Sequence, residues 1–146
     1  FKKNGIEGEK IIFMERLKNY DDHLKMYNNI DISLDTFPFA GATTTFESLW
    51  MGVPTITLSG EIFNSKFGLS INKNLNLDTF IAKDKNDYIE KAKIISSDIN
   101  KLSQIRYSLR NLAINSPLFD NKDLGLELCK ILKDKWRLFS QKNKNL

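Results

Sequence analysis

The sequence predicts an α/β fold, a parallel sheet with flanking helices, followed by a helical tail. Three observations carry this expectation. Short apolar runs alternate with helical stretches across residues 10 to 82, the order produced by βα units. The first run, Ile11-Ile12-Phe13, is continuous rather than alternating, as in parallel strands covered on both faces. Beyond residue 85 the apolar spacing is helical only. At 146 residues, 41% of them hydrophobic and 27% charged, the chain reads as one ordinary soluble domain with enough length for a real core.

The elements follow in order. Lys10 to Met14 is expected as a short buried strand. Asp21 to Asn29 is expected as a helix, with Asp21 and Asp22 favouring its N-terminal dipole and Leu24 and Tyr27 on one face. Ile32 to Leu34 is a second strand, and Asp35 to Gly41 a loop in which Pro38 excludes Phe37 from the helical region. Thr43 to Met51 is a helix with Gly52 where helices stop. Pro54 to Leu58 is a third strand, Asn64 to Ile71 a short helix, and Leu77 to Ala82 a fourth strand. Asn86 to Ile95 is amphipathic, and Ile99, Leu102, Ile105, Leu109 and Leu112 line one face of the next helix. Ser116-Pro117 breaks it. A last helix uses Leu124, Leu128, Ile131, Leu132, Trp136 and Phe139, and the chain frays over Gln141 to Leu146.

Charge and composition remove several function classes. The segment from Asn121 to Leu146 holds seven basic and three acidic residues, hence the whole net charge of +4; residues 1–120 are balanced. A basic helix can bind nucleic acid or anionic lipid. Without interleaved aromatics it reads better as a solvated face, so neither nucleic acid nor membrane is expected as a partner. No apolar run approaches the ~20 residues of a membrane span. Cys129 is the only cysteine, which excludes an internal disulfide and a cysteine-based zinc site and fits a reducing cytoplasm. It is expected to pack as a small hydrophobe in the last helix. The chain opens on Phe1 without an initiator Met, which predicts a piece of a longer protein.

The chemistry is expected in the segment from Leu34 to Pro54, a strand, a loop ending in glycine, a threonine run and a helix. Ligands of open α/β sheets bind beyond the carboxyl ends of the strands. A helix N-terminus there offers unpaired N–H groups and positive dipole to a phosphate. Gly41 and Ala42 allow close backbone approach, Thr43, Thr44 and Thr45 add hydroxyls, and Glu47 is placed to accept from ribose hydroxyls. Thr44-x-x-Glu47 is equally a capping box, and the two readings stand side by side. His23, the lone histidine, lies on the same sheet edge as the threonine loop, within reach of a nucleotide base. Asp35 reads as a holder of its loop, and Glu61 as a weaker candidate at the end of the third strand. No paired carboxylates suit glycoside hydrolysis and no acidic metal motif is present.

With these residues in view, the segment resembles the C-terminal catalytic lobe of the O-GlcNAc transferase and SPINDLY-type protein O-glycosyltransferases. The resemblance rests on Leu34-Asp35-Thr36, Pro38, Gly41-Ala42-Thr43-Thr44, Glu47, Leu49-Trp50, Gly52 and Pro54. It continues through Ser59-Gly60-Glu61, Ser65-Lys66 and Ser116-Pro117-Leu118-Phe119 to Trp136. It implies a Rossmann-like lobe of a GT-B fold, truncated at its N-terminus, spanning residues 1–146, with a sheet part over 1–85 and a helical part over 86–146. It implies a donor site for a UDP- or GDP-sugar, with Thr43 and Thr44 at the diphosphate, Glu47 at the ribose and His23 by the base or diphosphate. It further implies transfer of GlcNAc or fucose to Ser or Thr of an acceptor protein or peptide, without a metal or other cofactor. An N-terminal lobe and tetratricopeptide (TPR) repeats of the same chain would be its intramolecular partners, and without them no turnover is expected.

Three positions depart from the O-GlcNAc transferase pattern. Ala42 stands where those enzymes carry His, Tyr20 where they carry Lys, and Thr45 where they carry Gly. A small residue, a threonine run and an acid are closer to the SPINDLY-type fucosyltransferases. Two other classes remain open from the residues alone: a non-catalytic nucleotide-sugar-binding or protein-interaction module of the same fold, and a nucleic-acid binder using the basic last helix.

Overall fold

The computed structural model describes residues 1–15 and 17–143. Three short strands, β1 (Ser33–Leu34), β2 (Thr55–Leu58) and β3 (Ile81–Ala82), form a parallel sheet in the order β1-β2-β3. Ser33 pairs with Thr55 and Leu34 with Ile56; Thr57 pairs with Ile81 and Leu58 with Ala82. Helix α1 (Tyr20–Lys25) precedes β1, α2 (Thr43–Trp50) joins β1 to β2, and α3 (Phe67–Asn74) joins β2 to β3. Then come α4 (Lys85–Ser97), α5 (Ile99–Ile114) and α6 (Asn121–Asn143). The expected class, a parallel sheet with flanking helices and a helical tail, is the one observed.

Local chemistry sets the boundaries. Asn19 caps α1 by accepting from Asp21 N at 2.9 Å. Asp84 and Asp98 cap α4 and α5, accepting from Asp87 N at 2.9 Å and Lys101 N at 3.0 Å. Helix α2 stops at Gly52, whose φ of 73° suits glycine and whose N–H returns to Leu49 O at 3.0 Å. After α5 has ended at Ile114, Pro117 enters a 3-10 turn over Pro117–Phe119, which Ser116 caps by accepting from Leu118 N.

The core lies where α2, α3 and α5 meet: Leu49, Ile71, Leu75, Leu109 and Ala113 are buried, with Phe46, Leu77, Leu118 and Phe119 against them. The central strand β2 is wholly buried, yet two of its four residues are threonines. Each hydroxyl has a partner: Thr55 Oγ1 donates to Ser48 Oγ at 3.3 Å and Thr57 Oγ1 to Asp35 Oδ2 at 2.7 Å. Satisfied in this way, they escape the penalty of buried unpaired polar groups.

Several expectations are corrected. Lys10 to Met14 is not a buried strand: Gly8–Lys10 is a 3-10 turn, and Ile12 and Phe13 are 85% and 84% exposed. An apolar run becomes a strand only where another strand offers it a ladder, and among the described residues none pairs with it. The stretch from Leu77 to Ala82 is mostly a 3-10 turn, Asp78–Phe80, with only Ile81 and Ala82 in the sheet. The helix expected from Asn64 begins as a 3-10 turn at Phe63–Ser65 and becomes α-helical at Phe67. The fraying expected from Gln141 to Leu146 is not found over Gln141 to Asn143, which belong to α6; Lys144 to Leu146 lie outside the described residues.

Helix α6 keeps its apolar spacing, but no residue of it is buried: Leu124, Trp136 and Phe139 are 67%, 68% and 58% exposed. Cys129 is likewise exposed rather than packed. Cys129→Ala is therefore expected to change the melting temperature by less than a degree or two, as surface changes stay within about 0.5 kcal/mol. A larger drop in a thermal melt would show that the thiol is covered. None of the helices among the described residues is long and apolar enough to cross a membrane.

Candidate functional site

The site is built on the loop between β1 and α2, and Asp35 holds it. Its Oδ1 accepts from Gly41 N at 2.7 Å, its Oδ2 accepts from Thr57 Oγ1 at 2.7 Å, and its carbonyl accepts from Tyr88 Oη at 2.8 Å. Burial, with the Asp35 charge added, pushes the Tyr88 hydroxyl up to about 12, so it remains a donor. Within the loop Thr36 Oγ1 donates to Phe39 O at 2.6 Å, and Ala40 N donates to Asn64 O at 3.0 Å. The loop is thus tied to both strands' carboxyl ends, where the sequence placed the ligand edge.

Gly41 has no room for a side chain, since a Cβ there would lie 2.5 Å from Thr44 Oγ1. Its carbonyl accepts from Thr45 Oγ1 at 2.8 Å, so the buried Thr45 spends its hydroxyl on the loop instead of facing outward. Thr43 and Thr44 are exposed. Helix α2 starts at Thr43 after Ala42, and no side chain caps it. Unpaired N–H groups and the positive end of the dipole therefore face the loop.

The capping-box reading fails. With the helix starting at Thr43, Glu47 is the fifth helical residue, too far along to reach back to the cap. Its carboxylate turns instead to α1 and the 3-10 turn Met26–Asn29 that follows it: Oε2 lies 3.1 Å from His23 Nε2 and accepts from Tyr27 Oη at 3.3 Å. The Glu47 side chain is 11% exposed and His23 36%. Tyr27 packs edge-on against the His23 ring with centroids 5.9 Å apart, and Tyr20 stacks with that ring at 6.2 Å. Burial, reinforced by the Glu47 charge, pushes the Tyr27 hydroxyl up to about 12; desolvation and Glu47 also raise that of Tyr20.

Two recesses flank the ridge from Gly41 to Thr44. One, about 290 Å³, is lined by His23, Tyr27, Asp35, Gly41 and Thr44. The other, about 420 Å³, is lined by Phe39, Ala42, Thr43, Thr44 and Phe67. Six of the seven residues singled out from the sequence, His23, Gly41, Ala42, Thr43, Thr44 and Thr45, line these recesses; Glu47 lines an adjoining one of about 320 Å³ beside Thr43 and joins the others through its contact with His23. Glu61 does not join them; it is exposed beyond β2. Sequence reasoning gave no site role to Tyr27, although its i,i+4 spacing from His23 puts both on one helix face.

Residues 1–128 match the family described as glycosyl transferase family 41. The chain belongs to that family. Among the relatives of this family 41 chain is a protein of Solanum lycopersicum described as "Probable UDP-N-acetylglucosamine--peptide N-acetylglucosaminyltransferase SPINDLY". The two are 38% identical over 135 residues, 92% of this chain and 14% of the tomato protein. The Arabidopsis thaliana protein of the same description is 34% identical, again over 92% of this chain and 15% of its own length. A UDP-N-acetylglucosamine–peptide N-acetylglucosaminyltransferase of Caenorhabditis elegans is 25% identical over 94% of this chain and 12% of its own. Among solved structures, a mutant of Thermobaculum terrenum O-GlcNAc transferase superimposes with a TM-score of 0.85 at 30% identity. The match covers 93% of this chain and 26% of that one. The family 41 chain thus spans about a seventh of the length of the SPINDLY relatives, and its fold is that of a lobe of the GT-B type.

Proposed function

We propose that this chain is the donor-binding portion of a protein O-glycosyltransferase that transfers GlcNAc or fucose from a nucleoside diphosphate sugar to Ser or Thr of an acceptor protein. Residues 1–146 form the nucleotide-sugar-binding lobe, with the sheet of 1–85 carrying the site and the helices of 86–146 supporting it. Thr43, Thr44 and the free N–H groups of α2 hold the diphosphate. Gly41 and Ala42 let it approach the backbone, and Thr45 fixes the loop. Glu47 accepts from the ribose hydroxyls through Oε1, and His23 lies beside the base. An N-terminal lobe with TPR repeats completes the enzyme, which works in the cytoplasm.

The carrying observation is that Glu47 does not close its own helix. Its carboxylate is held on one oxygen by His23 of α1 and Tyr27 of the turn after it, beside a helix start that no side chain caps. Family membership supports the reaction class. Negative charge develops on the departing nucleoside diphosphate in the transition state. Oriented N–H groups and hydroxyls aimed at it lower the barrier without a metal.

Glu47→Gln in the full-length protein tests the reading. The amide oxygen still accepts from His23 and Tyr27, but the charge facing the ribose is lost. Hydrogen bonds to charged groups are worth about 1.5–3 kcal/mol, so UDP or GDP should bind roughly ten- to a hundredfold more weakly at nearly unchanged melting temperature. Isothermal titration against the nucleotide and its 2′,3′-dideoxy analogue reads this directly. Equal affinity of wild type and Glu47→Gln for the ribose form would sink the ribose role.

A further inference from the structure

We propose that Tyr27 is the positioning residue that presents one chosen oxygen of Glu47 to the ribose and keeps it in register with the diphosphate anchor. The proposal rests on the ribose role given to Glu47 above. The Tyr27 hydroxyl has one proton and two acceptors, Glu47 Oε2 at 3.3 Å and Thr44 O at 3.4 Å. A proton shared in this way gives two long contacts in place of one short one. The phenol ring is buried, at 8% exposure, so the hydroxyl is delivered by a fixed wedge rather than a free side chain.

The consequence is geometric. Thr44 belongs to the first turn of α2, which carries the proposed phosphate anchor; Glu47 carries the proposed ribose anchor. Phosphate and ribose of a nucleotide are joined covalently, so the protein must hold its two anchors at a matching separation. Tyr27 touches both. His23 Nε2 also contacts Oε2, so both groups from α1 and the turn after it occupy the same oxygen, while Glu47 itself lines a recess of about 320 Å³ together with Thr43 at the start of α2. With its pKa pushed up to about 12, the hydroxyl stays protonated at neutral pH and keeps donating. Positioning a reacting or binding group through a buried neighbour is a recurrent way to fix such geometry.

The test is Tyr27→Phe beside Glu47→Gln in the full-length protein. Phe keeps the buried ring and removes only the hydroxyl. UDP and GDP and their 2′,3′-dideoxy analogues are titrated into wild type and both variants. Tyr27→Phe should weaken the ribose form about three- to tenfold and leave the dideoxy form unchanged. In turnover, the donor KM should rise by the same factor with kcat nearly constant. Equal weakening of both ligand forms would mark Tyr27 as merely structural and overturn the proposal. So would unchanged affinities in Tyr27→Phe while Glu47→Gln still loses ribose discrimination; the ribose site would then stand without Tyr27. No effect of Glu47→Gln overturns the ribose site and the Tyr27 role together. If Tyr27→Phe does not fold, 3-fluorotyrosine at position 27 replaces it, and an unchanged ribose-to-dideoxy ratio overturns the proposal.

Discussion

Asp35→Ala is expected to cost about 2–4 kcal/mol of stability and to abolish nucleotide binding at the proposed donor site. The carboxylate has a donor on each oxygen, Gly41 N and Thr57 Oγ1, and alanine would strand both. A stranded buried donor costs about 1–3 kcal/mol, and partial exposure of the site keeps the total in the lower part of that doubled range. Losing the Gly41 bond also frees the loop that aims the start of α2. Asp35→Asn should be far milder, near 1 kcal/mol: its carbonyl can accept from Gly41 N while its amide donates to a Thr57 hydroxyl that has turned round. Urea unfolding and nucleotide titration of the two variants give the comparison. An alanine variant as stable as wild type, or one that still binds nucleotide, would remove Asp35 from the centre of the site.

Gly68→Ala attacks the same network from behind. Gly68 is buried at the start of α3, and a Cβ there would collide with Thr57 Oγ1, lying also 2.5 Å from Asp35 Oδ2 and 2.8 Å from Thr57 Cβ. The neighbours are a central strand and a loaded carboxylate, neither free to swing away. Overpacking of this kind costs about 1–3 kcal/mol, and the upper end is expected. Because the methyl group would break the Thr57–Asp35 bond, its effect should not add to that of Asp35→Ala. The double variant should lose clearly less than the sum of the singles in thermal or urea melts. Full additivity would mean that the two sites do not share a network.

How far the sequence reaches is visible in α2. Gly52 stops the helix and the threonine run opens it, both readable from local chemistry. The start lies two residues earlier than a capping box on Thr44 requires, and that shift sends Glu47 to His23 of α1 instead of to its own cap. The pairing of Glu47 with His23 spans 24 positions, and no local rule announces it. Asp35 was readable as a holder of its loop because it ends a strand; its partners Thr57 and Tyr88 were not, because they are set by sheet register and by α4. The run from Lys10 to Met14 failed for the opposite reason. Its composition suits a strand, but a strand is made by its neighbour's backbone. The stripe on α6 shows the same limit: periodicity fixes the helix and its face, not what covers it.

The loop from Asp35 to Gly41 looks like a short module that could be carried from one protein to another. Its attachments say otherwise. Thr57 stands 22 residues away, Tyr88 stands 53 away, and the glycine that leaves room for the carboxylate lies on a third element. The shape of the loop is therefore a property of the whole sheet. For anyone engineering this family, the shape of this loop cannot be transplanted by exchanging seven residues; the graft has to include the distant side chains that hold the seven in place.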